Sequence, residues 1–469
     1  MRGVFLCKGR KNMKKMMNNQ IDLLHGPIMK SLIIFMIPIM LSNLFQQLYN
    51  AVDTAIVGNF LGEDALAAVG ACGSVFELLV GFIMNLCAGM SLVISRCFGR
   101  GEEKLLKKSV AGAILIGLIT CAALTGLSLI GLRPLLELIN TPADIIDQSY
   151  AYISEIGKWL IVMFAYNLFA GVLRAIGNSV MPLIFLIISS VLNIVLDIVF
   201  ITTFDMGVRG AAAATVVSQG VSAVLCMIYI LKKATILIPK RKHFEPDKNL
   251  YKEIASQGLS MGIMGAIVSC GSIILQSGIN GLGTDVIAGH TAARKLFSLF
   301  GTPFFSMAIS VSTFVSQNKG ADQKERIRSA VRSSYIYDWV MAGAVTVFLI
   351  LTAPTLIRLI SGSENPVIIE NGTRYLWVVG PFYGVLGMLV QTRNALQAIG
   401  SKLIPLISSV IEFAGKILFV AILIPRFEYM AVIFCEPVIW CVMTVQLLYS
   451  FYTNPYIRGR NAGLESQDM

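Results

Sequence analysis

The sequence predicts an all-α polytopic membrane protein, with twelve transmembrane helices in two pseudo-symmetric six-helix lobes. Three observations carry that expectation. Of 469 residues, 55% are hydrophobic and only 14% charged, whereas a soluble domain carries about 25% charged residues; so few charges argue against a soluble enzyme. Apolar stretches of about twenty residues, long enough to cross a hydrocarbon core of about 30 Å as a helix, recur along the whole chain. The second half of the chain also repeats short motifs of the first.

Taken in order, a basic segment over 1–29 (Arg2, Lys8, Arg10, Lys11, Lys14 and Lys15) precedes the first apolar run. No small-residue cleavage site follows a short apolar region, so the first span is expected to be retained. Apolar runs between polar or Gly/Pro-marked gaps place spans at 30–58, 66–95, 109–132, 150–172, 180–203 and 209–231. A second set falls at 253–279, 287–314, 330–352, 373–396, 403–424 and 430–452. The expected organisation is thus an N-terminal cytoplasmic segment 1–29, an N-lobe 30–231, a cytoplasmic linker 232–252 (KKATILIPKRKHFEPDKNLYK), a C-lobe 253–452 and a cytoplasmic tail 453–469.

The net charge of +11 is topological rather than a nucleic-acid footprint. With both termini cytoplasmic, inside segments hold roughly 28 Lys/Arg and outside loops roughly 5, the bias that orients membrane helices. The nine cysteines (Cys7, Cys72, Cys87, Cys97, Cys121, Cys226, Cys270, Cys435 and Cys441) form no C-x-x-C pair or His/Cys cluster, so neither a disulfide framework nor a zinc site is expected.

The repeat is legible in three places: LGEDALAAVG at 61–70 against LGTDVIAGH at 282–290, SRCFGRGEEK at 95–104 against SQNKGADQKE at 316–325, and RAIGNSVMPL at 174–183 against QAIGSKLIPL at 397–406. Six spans return the chain to its starting side, so the lobes are expected to be related by an axis along the membrane normal. That arrangement occurs in transporters.

Ionisable residues at bilayer depth cost roughly 2.5–3.5 kcal/mol at a helix centre and need a partner, an aqueous cavity or a function. In the first half these are Asp53, Glu77, Glu155, Lys158 and Asp197, with Asn193 beside them. Asn193 and Asp197, four residues apart, share one helix face. Two carboxylates such as Asp53 and Asp197, facing each other in a partly desolvated pocket, repel and favour uptake of a proton. The same residues suit a sodium ion, with Asn193 and the hydroxyl of Thr215 as neutral oxygen ligands. The alternative is that these groups are buried polar contacts between helices. Pro38, in the first span, removes a backbone hydrogen bond and is either a static bend or a hinge.

In the second half, Lys416 and Val420 stand where the repeat places Asn193 and Asp197. Glu412 and Lys416 have the spacing of an ion pair that neutralises itself within that lobe. Arg294 and Lys295 are expected to snorkel or pair. His25, His243 and His290 have no metal partner at a sensible spacing.

The residues IPIMLSNLFQQLYNAVDTAIVGNFLG at 37–62, RAIGNSVMP at 174–182, NIVLDIVFI at 193–201 and GVRGAAAATVVSQ at 207–219 resemble the multidrug and toxic compound extrusion (MATE) transporters, with similarity from about Pro27 to span twelve. The resemblance puts the family's V-D-T motif on Asp53 and its bending proline on Pro38. The cation site of the DinF-like branch falls on Asn193, Asp197 and Thr215. The NorM-like branch uses acidic residues in spans seven and ten, and LSMGIMGAIVSCGSIILQSGI at 259–279 and the stretch from Tyr375 to Gln391 have none.

The resemblance implies a secondary active antiporter of the cell membrane and not an enzyme. It would export organic cations or drugs in exchange for H+ or Na+ by alternating access, without a cofactor, as a monomer among lipids. The competing readings are a lipid-linked precursor flippase, which usually has fourteen spans, and a polytopic membrane enzyme or receptor. No nucleophile or metal constellation supports an enzyme, and no G-x-x-x-x-G-K-[ST] loop supports direct use of ATP.

Overall fold

A computed structural model describes residues 20–139, 141–245 and 247–459; the basic N-terminal residues, Cys7 and the last ten residues of the tail lie outside them. Those described are helical with short turns and, among themselves, no strand. The helices are α1 (Ile28–Leu61), α2 (Glu63–Gly99), α3 (Glu103–Leu138), α4 (Ile146–Lys158 and Leu160–Ala175, bent by 51°), α5 (Val180–Thr203) and α6 (Val208–Lys233). There follow α7 (Lys248–Asn280), α8 (Thr284–Gly320), α9 (Lys324–Ser361), α10 (Pro366–Ala398), α11 (403–427) and α12 (429–453).

Ten helices among the described residues are long and apolar enough to cross a membrane, and bent α4 adds an eleventh. The stretch Leu403–Thr453, 51 residues long, exceeds a single crossing. It is broken at Glu428, whose φ of 49° and ψ of −132° are not helical; this break makes the twelfth span. Large apolar side chains such as Ile119, Ile130, Leu351 and Leu403 face outward, as expected where the solvent is lipid rather than water.

The ends of the helices follow from local chemistry. Glu63 and Asp64 in the first turn of α2 complement its dipole. Asn365 caps α10 by accepting a bond from the Val367 N–H (3.0 Å), with Pro366 at the first helical position.

The two halves turn their corners alike. Left-handed backbone occurs at Gly62 and Gly283, at Gly101 and Asp322, at Gly177 and Gly400, and at Asp205 and Glu428, each pair at matching ends of the repeat. At Gly177 the conformation is enforced by crowding as well. A Cβ there would stand 2.7 Å from the carbonyl oxygen of Ile21, and the Ile21 N–H donates to the Gly177 carbonyl at 3.0 Å.

The chain divides into two compact units, one holding residues 34–266 and the other 267–459 together with His25–Ile33; the division falls inside α7, between Ala266 and Ile267. The segment between α6 and α7 contains two short 3-10 turns, Thr235–Leu237 and Arg241–His243.

Within the first unit, the α2 and α7 backbones touch: a Cβ on Gly89 would lie 2.5 Å from the Gln257 carbonyl oxygen, the small-residue contact typical of helices packed in lipid. Arg96 and Glu253 pair nearby at 2.9 Å. Within the second unit, Ser310 Oγ donates to the Leu32 carbonyl (2.9 Å) and Arg326 Nη2 to the Gly26 carbonyl (2.8 Å), which hold the start of α1.

Candidate functional site

Three helices of the first unit bring the acidic residues together. Asp53 projects from α1, Asn193 and Asp197 from adjacent turns of α5, and Thr215 from α6, and all four are buried. One turn away along the same helices lie Ile56 and Val57 of α1, Ile201 of α5, and Ala211 and Ala212 of α6, members of one buried apolar cluster. Small alanines on α6 let the helices approach closely enough for these side chains to meet.

The carboxyl groups of Asp53 and Asp197 lie within hydrogen-bonding reach of one another. With its amide oriented to satisfy both neighbours, Asn193 Nδ2 donates to Asp197 Oδ2 at 2.9 Å, and its oxygen accepts from the Thr215 N–H at 3.2 Å. Tyr49, one turn before Asp53, bonds through its hydroxyl to Thr215 Oγ1 at 3.1 Å. Asp53 Oδ1 and Asp197 Oδ1 are buried without a hydrogen-bond partner, as is Gln219 Oε1, one turn beyond Thr215 on α6. Tyr152, from α4, faces both acids.

Ionised carboxylates only accept hydrogen bonds, so two of them side by side need a proton or a cation between them.

Pro38 is not brought to this cluster; it lies fifteen residues before Asp53 on the same helix, about 22 Å along the axis. Its carbonyl accepts from Ser42 Oγ at 2.8 Å. Glu77 is exposed, within a π-helical turn over Glu77–Gly81. Glu155 pairs with Lys158 at 3.1 Å and accepts from Trp159 Nε1.

In the second unit, Lys416 Nζ meets Glu412 Oε1 at 3.0 Å, as the spacing predicts, and also Ser272 Oγ at 3.3 Å. Arg393 Nη2 approaches the other oxygen of Glu412 at 3.5 Å. Arg294 pairs rather than snorkels: it meets Glu436 at 2.6 Å and the Tyr375 hydroxyl at 3.1 Å. Lys295 is exposed. His290 contacts the Tyr429 hydroxyl at 3.3 Å, and His243 Nδ1 accepts from the Lys240 N–H at 2.8 Å. Among the described residues no group of three or more His, Cys, Asp or Glu could hold a metal ion, and the eight described cysteines are free thiols.

The sequence reading missed Tyr49, Tyr152 and Gln219 in the first unit, and Asp338 and Glu436 in the second. Tyr49 and Gln219 had a signal, each one helical turn from a residue already singled out. Asp338 and Glu436 had one too, as lone acids in the apolar runs YIYDWVMAG and VIFCEPVIW. Tyr152 had none, since only the fold turns α4 toward α1 and α5.

The family model described as MatE matches the chain twice, over residues 38–199 and 261–422, and the displacement between the matches is the one that carries Asn193 to Lys416 and Gly177 to Gly400. The chain is 28% identical over 398 residues to the probable multidrug resistance protein YpnP of Bacillus subtilis (strain 168), covering 84% of this chain and 87% of that protein. It is 26% identical over 435 residues to the probable multidrug resistance protein YoeA of the same organism, covering 91% and 93%. It shares the fold of a multidrug resistance MATE family transporter of the MOP superfamily solved in an outward-facing conformation, with a TM-score of 0.84 at 23% identity over 92% of this chain and 98% of that one. With two copies of the matched unit and a twelve-helix membrane fold, this chain belongs to the MatE family and is a transporter rather than an enzyme.

Proposed function

We propose that this protein is a multidrug efflux antiporter of the cell membrane that exports organic cations or drugs in exchange for protons by alternating access. Asp53 and Asp197 are the coupling acids in this reading. Asn193 orients Asp197, Thr215 closes the cluster together with Tyr49, and Pro38 is the hinge of α1. The working parts are an N-lobe over 30–231 and a C-lobe over 253–452, with the 1–29 segment, the 232–252 linker and the 453–469 tail on the cytoplasmic side. The protein works as a monomer among membrane lipids and without a cofactor. The names of its relatives support the drug class, and the excess of Lys/Arg on one side of the spans supports the orientation.

The observation that carries the proposal is the pair of buried carboxyls within bonding reach of each other and without a basic partner. Keeping both ionised there is costly, and a single proton relieves the cost. Because a proton that arrives from one side and leaves on the other changes the charge of the cluster, the conformation that favours each state differs, and this difference couples ion flow to export.

The test is efflux of ethidium or a fluoroquinolone from reconstituted vesicles under an imposed pH gradient, then under a sodium gradient alone. Efflux is expected with the first and not with the second. Efflux on sodium alone would assign Asp53, Asn193, Asp197 and Thr215 to Na+ instead, and transport that ignores both gradients would refute the antiport.

A further inference from the structure

The second unit contains a buried acid that the coupling scheme leaves unused. Asp338, midway along α9, is fully buried. Gln391 of α10 donates through Nε2 to Asp338 Oδ1 at 3.3 Å and to the Phe304 carbonyl of α8 at 3.4 Å. Asp338 Oδ2 and Gln391 Oε1 are both buried without a hydrogen-bond partner. Room for the carboxyl comes from Gly387, one turn before Gln391, where a Cβ would lie 2.6 Å from Asp338 Cγ.

The titratable or polar groups that face it are Tyr335 and Tyr337 on its own helix and Gln391 and Thr392 on α10. Thr392 bonds the Tyr335 hydroxyl at 2.6 Å. From α8 the contact is a backbone carbonyl, and Tyr452 of α12 faces Tyr335. None of these carries a positive charge, so an ionised Asp338 would be a buried charge without a counter-ion, several kcal/mol uphill.

We propose that Asp338 is a proton-binding site of the second unit, additional to the Asp53–Asp197 pair. One proton on its carboxyl neutralises the group and supplies a donor where two buried acceptors have none. The amide orientation discriminates against a metal ion: Gln391 is held by two acceptors with its NH2, not its oxygen, toward the carboxylate. The protein then carries an exchangeable proton in each half.

The experiment is infrared spectroscopy of the full-length protein in lipid vesicles at neutral pH, in an Asp53→Asn/Asp197→Asn background that silences the other acids. The expected result is a protonated-carboxyl C=O band that shifts in D2O, disappears with Asp338→Asn and persists when sodium replaces potassium. Gln391→Leu should shift the band by removing the bond to Oδ1, a readout that holds even if the Asp338 variant does not fold. No such band, a band that survives Asp338→Asn, or one abolished by sodium would overturn the proposal. Asp53 and Asp197 are absent from this background, so the result stands apart from the outcome of the efflux test.

Discussion

Equivalent turns of the two repeats solve the same electrostatic problem in opposite ways. On α5 of the first unit stand Asn193 and Asp197, with the carboxyl of Asp53 within reach and no basic side chain in the cluster. On α11 of the second unit the matching positions are Lys416 and Val420, and Glu412 is held by Lys416 at 3.0 Å and by Arg393 at 3.5 Å. One lobe carries its counter-ion covalently; in the proposed reading the other takes one from solution. A positive charge fixed on a side chain cannot be exchanged, so the pair in the second unit is structural, whereas a site whose charge is balanced only by a mobile ion can report on which side of the membrane that ion is abundant. Duplication supplied the scaffold twice, and divergence at these matched positions placed a fixed positive charge in one copy and none in the other.

The sharpest way to break this contrast is Asp53→Asn or Asp197→Asn. Either should reduce gradient-driven efflux to background with expression intact, and wild-type rates in reconstituted vesicles would refute the assignment. Lys416→Met should do the reverse: it strips one of two basic partners from the half-buried Glu412, lowering stability by about 1–3 kcal/mol in thermal unfolding, yet most coupling should survive. An equal loss of coupling would move the active site to the second lobe.

Pro38→Ala restores a backbone donor in α1. It should slow turnover severalfold while proton uptake by the acids is unchanged, as read by efflux and by pH-dye titration. The smallest effect is expected for Thr215→Ala. It removes the hydroxyl that Tyr49 contacts but keeps the backbone N–H that holds Asn193, a loss of about 1 kcal/mol, or roughly fivefold in proton affinity.

The fold was legible because its signals are periodic and redundant. Apolar runs of spanning length, gaps rich in Lys and Arg, and repeated turn motifs such as A-I-G at 174–183 and 397–406 each point to the same twelve helices. The break at Glu428 was read from the apolar pattern as two spans, 403–424 and 430–452, even though the helix resumes at once after a single non-helical residue. The candidate acids were legible because a carboxylate in an apolar run stands out. What stayed hidden depends on which helix faces which: Tyr152 reaches the cluster from α4 across a distance in sequence that no spacing rule covers. The orientation of the Asn193 amide was hidden too, since it is set by the Thr215 N–H of another helix. Asp338 and Glu436 stand out equally in the sequence as lone acids in apolar runs, but they lie in spans nine and twelve, outside every motif that carries the family resemblance.

A detail of α5 bears on how this site can change over generations. Immediately after Asp197 the helix widens into a π turn over Val199–Thr203, closed by the Phe204 N–H on the Val199 carbonyl and the Met206 N–H on the Phe200 carbonyl. Such a turn is one surplus residue accommodated inside a helix. Removing a residue such as Thr202 would let the backbone relax to ordinary α geometry while Asn193 and Asp197 keep their bearing. Deleting a residue between those two would swing Asp197 about 100° around the axis and away from Asp53. Chain length can therefore drift downstream of the acids but not between them, and insertions or deletions among descendants of this chain should accumulate on that side alone.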